Sequence, residues 1–214
     1  KLYGLRLQKI LRKKISRVVL VSFPAGEKSK TSAQKNAIDA ALLKNKCGRD
    51  TVILALGGGV VGDMAGFVAS TYLRGIPYIQ IPTTLLAMVD SSIGGKTGVN
   101  TPYGKNLIGT FWQPHAVFVD TEFLATLPAN HWQSGLMETV KMAIATDPSM
   151  ILPLSGVMRT RSGEHLEIII SKSITHKARI VERDERESGE RMVLNFGHTI
   201  GHAIEKTSKY SVLH

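Results

Sequence analysis

One cysteine, Cys47, stands in the 214 residues. Its solitude excludes an internal disulfide and fits a reducing compartment, so the chain reads as cytoplasmic. Uninterrupted apolar runs of about eighteen residues are also missing, so no membrane-spanning helix and no membrane partner are expected. Acids are scarce: 17 Asp and Glu stand against 27 Lys and Arg, a net charge of +10. The chain opens on Lys1 rather than Met, so its original start is expected to be missing. What is present, 43% apolar and 21% charged residues, is ordinary for a globular protein of one large or two small domains.

The positive excess is concentrated. Residues 1–17, KLYGLRLQKILRKKISR, carry seven Lys or Arg and no acid. Such an arm suits an acidic surface, a nucleic acid or a transit-like segment. Its plainer reading is a solvated helix whose Leu5, Leu11 and Ile15 face a core. Beyond Tyr3 it lacks the interleaved aromatics of a nucleic-acid reader, and no nucleic-acid partner is expected.

The first 120 residues alternate strand and helix signals. RVVLVSF, TVILAL and YIQIP read as buried strands, and TSAQKNAIDAALLKNK as a helix capped by Thr31 or Ser32. A second helix, VVGDMAGFVASTYL, follows three glycines. This predicts an α/β layer with a mostly parallel, Rossmann-like sheet over residues 1–124. From about residue 125 to 214 the periodicity is helical, in HWQSGLMETVKMAIA, EHLEIIISKSITHKARIVERDERE and RMVLNFGHTIGHAIEKTS, which predicts an all-α second domain.

Between TVILAL and its helix lies Gly57-x-Gly59-x-x-Gly62, either a pyrophosphate cradle at a helix N-terminus or a tight turn. Asp63, one turn on, suits a ribose or nicotinamide group, or simply the helix dipole. The long segment IPTTLLAMVDSSIGGKTGVNTPYGKNLIG mixes Thr83, Thr84, Asp90, Lys96, Asn100, Lys105 and Asn106 with glycine pairs and little periodicity. It reads as a ligand loop whose lysines and backbone N–H groups suit phosphate or carboxylate.

In the helical part, Glu138 sits in an apolar stretch and needs a cation or metal beside it. His198 and His202 are four apart and share a helical face; they are metal ligands, catalytic groups or satisfied core histidines. Glu138 with His198 supplies two ligands of the kind a catalytic zinc takes, and the terminal His214 is a candidate third. Lys177 reads as one charge of a solvated helix, while Arg191 is placed for a bidentate carboxylate contact.

Taken together, LALGGGVVGDMAGFVASTYLRGI, IPTTLLAMVDSSIGGKTGVN, GKNLIGTFWQP, METVK and LNFGHTIGHAIE resemble the 3-dehydroquinate synthase family over nearly the whole chain. The resemblance implies an NAD-binding α/β domain, a helical metal domain and a homodimer. It implies a lyase reaction of the shikimate pathway toward the aromatic amino acids. In it, 3-deoxy-arabino-heptulosonate 7-phosphate is transiently oxidised, loses phosphate, is re-reduced, and closes to a carbocycle by an intramolecular aldol step. The zinc (or cobalt) ligands would be Glu138, His198 and His214. His202 would face the substrate, with Asp90, Lys96, Lys141 and Asn195 in the catalytic network. Lys177 and Arg191 would hold the carboxylate. Lys96, Asn106 and Asn195 would meet phosphate and hydroxyls, and Arg74 the phosphate of the neighbouring subunit. Glu27, Lys30, Gly58, Gly59, Asp63, Thr83, Thr84, Lys105 and Thr126 would hold NAD. Family members are longer at both ends, so weak NAD binding is expected of these residues alone. The rivals are a metal-dependent polyol dehydrogenase of the same fold, a related sugar-phosphate cyclase, and a non-catalytic fragment.

Overall fold

In the computed structural model, which describes residues 2–160 and 164–208, the chain divides into two compact units. The first comprises Lys1–Ile81 and Gly95–Phe118, the second Pro82–Gly94 and Val119–His214.

The first unit begins with α1 (Gly4–Leu11) and α2 (Ser32–Lys44). Thr31 caps α2 by accepting the Gln34 N–H at 3.2 Å, the role its position predicts. Then follow β1 (Ile53–Gly57), α3 (Gly59–Thr71) and β2 (Tyr78–Pro82), with β3 (Lys96–Thr101), β4 (Gly104–Phe111) and β5 (Ala116–Val117) behind them. The main sheet has the order β1-β2-β5, and β2 runs parallel to β5 with Ile79 opposite Ala116. Met64, Val68, Ala69, Ile76, Tyr78 and Val99 are almost wholly buried and form the core of this unit. Burial pushes the Tyr78 phenol up to about 12, and its hydroxyl donates to the Trp112 carbonyl at 3.0 Å.

Three expectations are corrected here. Residues 17–23 form no strand, because no ladder partner pairs with them among the described residues. Val21 and Phe23 still pack on the core. Second, α1 buries none of its residues: Leu5 is 68% exposed and Leu11 half-buried, and Ile15, beyond the end of the helix, is 48% exposed, so none of the three is buried in a core. Third, the predicted ligand loop is largely regular. Thr84 caps a helical turn that becomes a π-helix over Ala87–Ser91, and β3–β4 form an antiparallel hairpin.

The second unit holds α4 (Ala129–Ala145), α5 (Ile151–Thr160), α6 (Glu164–Arg183) and α7 (His198–Thr207). Among the described residues no strand follows β5. Leu85, Met88 and Val89 from the π-helical segment join Trp132, Leu136, Leu166 and Ile169 in one core. That packing draws Pro82–Gly94 into the helical unit, whereas the sequence reading runs the first domain unbroken to residue 124. The period read through residues 191–208 is also interrupted. A 3-10 turn covers Glu190–Asn195, Gly197 takes φ +79°, and α7 starts afresh at His198.

Candidate functional site

In the first unit the glycine loop lies between β1 and α3. Gly58 occupies the N-cap and Gly59 the first turn, with no side chain capping the helix. The first-turn N–H groups therefore point to where an anion would sit. Gly62 is required by packing, since a Cβ there would overlap the carboxamide of buried Gln80. This is the strand–helix approach that a pyrophosphate cradle needs, so the loop fits a dinucleotide.

Beside it runs a polar chain of named residues. Lys30, 4% exposed, donates to Asp63 and, at 2.5 Å, to Asn106 Oδ1. The Asn106 N–H donates to Asn100 Oδ1 at 3.0 Å, and Asn100 Nδ2 donates to Glu27 Oε1 at 2.7 Å. Glu27, Lys30, Asp63 and Asn106, scattered over eighty residues of sequence, are thus brought together. Asn100 links them, although the sequence reading names it only as one polar member of its loop. Lys96 opens β3 with its side chain exposed, and Lys105 lies half-buried at the start of β4. Arg74 is exposed at φ +68°, next to Leu73 at φ +48° and Gly75 at φ +122°.

In the second unit Glu138 and Lys141 are buried on one face of α4, one turn apart, and form an ion pair. The cation that Glu138 needs is therefore supplied in part by Lys141. His198 Nε2 stands 3.4 Å from Glu138 Oε1, and its Nδ1 lies 3.4 Å from Asn195 Oδ1. Two donors on one tetrahedral zinc, each about 2.05 Å from the ion, lie about 3.3 Å apart. The Glu138–His198 edge fits that geometry, and the nitrogen–oxygen donor set fits the metal. Asn195 in turn donates to Glu187 at 2.7 Å. The expectation for His202 concerns a side chain outside those described, and His214 lies outside the described residues.

Lys177, 7% exposed, donates to both the carbonyl (2.7 Å) and the carboxylate (2.6 Å) of Asp90. Its reading as a solvated surface charge is corrected: α6 turns it inward onto the π-helix. Arg191, 2% exposed, donates to the carbonyls of Gly94, at 2.9 Å, and Glu185. Burial pushes its guanidinium pKa down. Asp184 shapes the loop that delivers it, accepting N–H bonds from Ser188, Gly189 and Arg191 at 2.8–3.0 Å. That role was not visible in the sequence, where Asp184 is one of many charges after α6. Thr83 is half-buried, while Thr126 is exposed and donates to the Phe123 carbonyl at 3.4 Å. A groove of about 450 Å³ along α6, bordered by Val119, Glu167, Ile170 and Ile174, holds none of these residues.

Comparison with known proteins shows the family to which the chain belongs. A family model described as 3-dehydroquinate synthase N-terminal matches residues 20–134, and one described as 3-dehydroquinate synthase C-terminal matches residues 135–214. The chain is 53% identical over 193 residues to the 3-dehydroquinate synthase of Geobacter metallireducens, covering 89% of this chain and 54% of that protein. It is 48% identical over 212 residues to that of Bordetella pertussis, covering 98% and 59%. The chain thus spans little more than half the length of these relatives. Among solved structures, 2-epi-5-epi-valiolone synthase from Streptomyces hygroscopicus subsp. jinggangensis, with NAD+ and Zn2+ bound, aligns at TM-score 0.92 and 30% identity. The match covers 100% of this chain and 61% of that one. A 2-deoxy-scyllo-inosose synthase complexed with carbaglucose-6-phosphate, NAD+ and Co2+ aligns at TM-score 0.86 and 28% identity, covering 100% and 60%.

Proposed function

We propose, from the premise that the chain belongs to the 3-dehydroquinate synthase family, that its protein converts 3-deoxy-arabino-heptulosonate 7-phosphate to 3-dehydroquinate and inorganic phosphate. One observation carries the reading: Glu138 and His198, sixty residues apart in sequence, set a buried carboxylate and a half-buried imidazole 3.4 Å apart. That is the beginning of a metal site on helices whose sequence matches the family.

When bound, zinc would supply Lewis acidity at the carbinol to be oxidised, and NAD+ would supply the reversible redox chemistry. Glu138 and His198 hold the metal, with His214 as third ligand. Lys141 pairs with Glu138 on the same face of α4 and so holds the carboxylate in place beside His198. Gly58 and Gly59 present backbone N–H groups to the cofactor's pyrophosphate. Glu27, Lys30, Asp63, Thr83, Thr84, Lys105 and Thr126 bind the remainder of the cofactor.

Lys177 and Arg191 receive the substrate carboxylate, with Asp90 orienting the Lys177 ammonium. Lys96, Asn106 and Asn195 meet the phosphate and hydroxyls, and His202 serves proton transfer. Arg74 completes the phosphate site of a second subunit, which makes the protein a homodimer, and the lone Cys47 fits a cytoplasmic place for it.

The test follows inorganic phosphate and NADH absorbance together, with the heptulosonate phosphate, zinc and catalytic NAD+. Phosphate release without NADH accumulation is expected, because the hydride is returned within each turnover. Steady NADH production from a polyol, without phosphate release, would replace this reading with a dehydrogenase.

A further inference from the structure

We propose that Asn100 is a positioning residue that ties the cofactor-side Glu27 to the substrate-side Asn106; this rests on the functional reading above. Four observations within the first unit carry it. The Asn100 carboxamide is used at both ends: Nδ2 donates to Glu27 Oε1 at 2.7 Å and Oδ1 accepts from the Asn106 N–H at 3.0 Å. Its backbone is fixed as well, since its N–H donates to the Lys30 carbonyl at 2.8 Å, beside an isolated bridge between Thr31 and Asn100. Asn106, which receives this support, takes φ +57°, the left-handed conformation that asparagine tolerates better than other non-glycine residues, and the bond from its N–H fixes that turn against Asn100. Finally, Asn106 Oδ1 accepts from Lys30 Nζ at 2.5 Å, and the same ammonium pairs with Asp63.

These bonds run in one line, Glu27–Asn100–Asn106–Lys30–Asp63. Each of the other four is proposed above to touch cofactor or substrate, and Asn100 links them without needing to touch either. The chemistry explains the residue type. A carboxamide offers a donor and an acceptor at one side-chain terminus. An aspartate keeps the acceptor for the Asn106 N–H but places a second carboxylate against Glu27. An alanine keeps neither. The two substitutions therefore separate the arms of the link.

The experiment uses this chain, with NAD affinity read by titration calorimetry and exchange of the Asn106 amide read by NMR. In Asn100→Ala, the Asn106 amide exchanges at least 10-fold faster and NAD binds at least 10-fold more weakly, with the circular dichroism spectrum unchanged. In Asn100→Asp, the Asn106 amide keeps its protection while NAD affinity falls by a similar factor. Unchanged Asn106 exchange and unchanged NAD affinity in Asn100→Ala overturn the proposal. If that variant does not fold, Asn100→Asp decides: weaker NAD binding with retained protection supports it, and unchanged NAD binding overturns it. The functional reading stands or falls separately, on the phosphate-release assay, and where the unaltered chain binds NAD too weakly to titrate, unchanged Asn106 exchange in Asn100→Ala overturns the link and faster exchange supports it.

Discussion

At the scale of single residues, the charged groups that matter are those whose partners were fixed by folding. Sequence alone marks Glu138 and Arg191 as chemically unusual and Lys177 as an ordinary surface charge, and it could not say what each would meet. Glu138 was legible because an apolar neighbourhood makes an isolated carboxylate costly. Lys177 was not, because it stands in a run of charges in the sequence and its partner, Asp90, lies 87 residues away. Asp184 was least legible: its importance lies in backbone N–H groups, which no residue pattern displays. Those N–H groups, foremost that of Ser188, hold its carboxyl near 2, below an ordinary value of 3.8. A folded-state pKa below the unfolded one means that the native state binds fewer protons in this range. Its stabilising contribution is therefore complete above about pH 4 and is lost as pH falls toward 2. Denaturant unfolding across pH 4 to 2 should show a shallower loss of stability for Asp184→Asn than for the unaltered chain. Equal slopes would show that the loop does not depend on this carboxylate.

At the scale of elements, glycine and proline caused most of the differences between expectation and structure. Strong periodic segments such as α4 and α6 were read in place. The β3–β4 hairpin was missed because Gly98 stands opposite Gly109 in its register, leaving no apolar alternation to see. The helix α5 was passed over, with Pro153 and Gly156 inside it. The π-helix over Ala87–Ser91 has no propensity signal of its own, yet it carries Asp90 to Lys177. Two helical glycines show how packing sets the sign of one substitution. A Cβ on Gly135 in α4 would stand 2.6 Å from the Leu86 backbone nitrogen and 2.6 Å from Leu85 Cβ. Backbone cannot yield as a flexible side chain does, so Gly135→Ala should destabilise by about 2 kcal/mol despite better helix propensity. Gly201 in α7 has nothing among the described residues within 4 Å of its ideal Cβ. There the propensity term acts alone, and Gly201→Ala should stabilise by about 0.5–1 kcal/mol. Urea midpoints of the two variants should move in opposite directions; a shared direction would show that packing at Gly135 relaxes at little cost.

At the scale of the whole molecule, the contrast between an α/β part and a helical part was readable from hydrophobic period alone. The change of period near Leu127 is where helices cease to alternate with strands. The path of the chain was not readable, because Pro82–Gly94 joins the helical unit through Leu85, Met88 and Val89 before the hairpin returns to the first. Burial of those side chains is a tertiary fact, and local sequence offers no trace of which core they enter. The basic N-terminal arm poses the opposite case: its helix was readable, but its burial was not. None of the α1 residues is buried, and Leu2, Leu5 and Ile10 are 75%, 68% and 51% exposed. What ties the arm down is polar and wet: Gln8 and Arg12 donate to the Val18 carbonyl at 3.2 and 3.3 Å. Exposed bonds of this kind contribute little, since water competes for each partner. Full burial of a leucine would contribute about 1.5–3 kcal/mol, and here only fractions of Leu7 and Leu11 are covered. Deleting residues 1–12 should therefore lower the unfolding free energy by no more than about 1.5 kcal/mol. It also removes four positive charges, Lys1, Arg6, Lys9 and Arg12, taking the formal net charge from +10 to +6. Retention on a polyanionic column should fall accordingly, because the lost charges are clustered and solvated. Denaturant unfolding gives the stability and a salt gradient the retention. A loss above about 3 kcal/mol would mean that the arm's leucines cover a core after all.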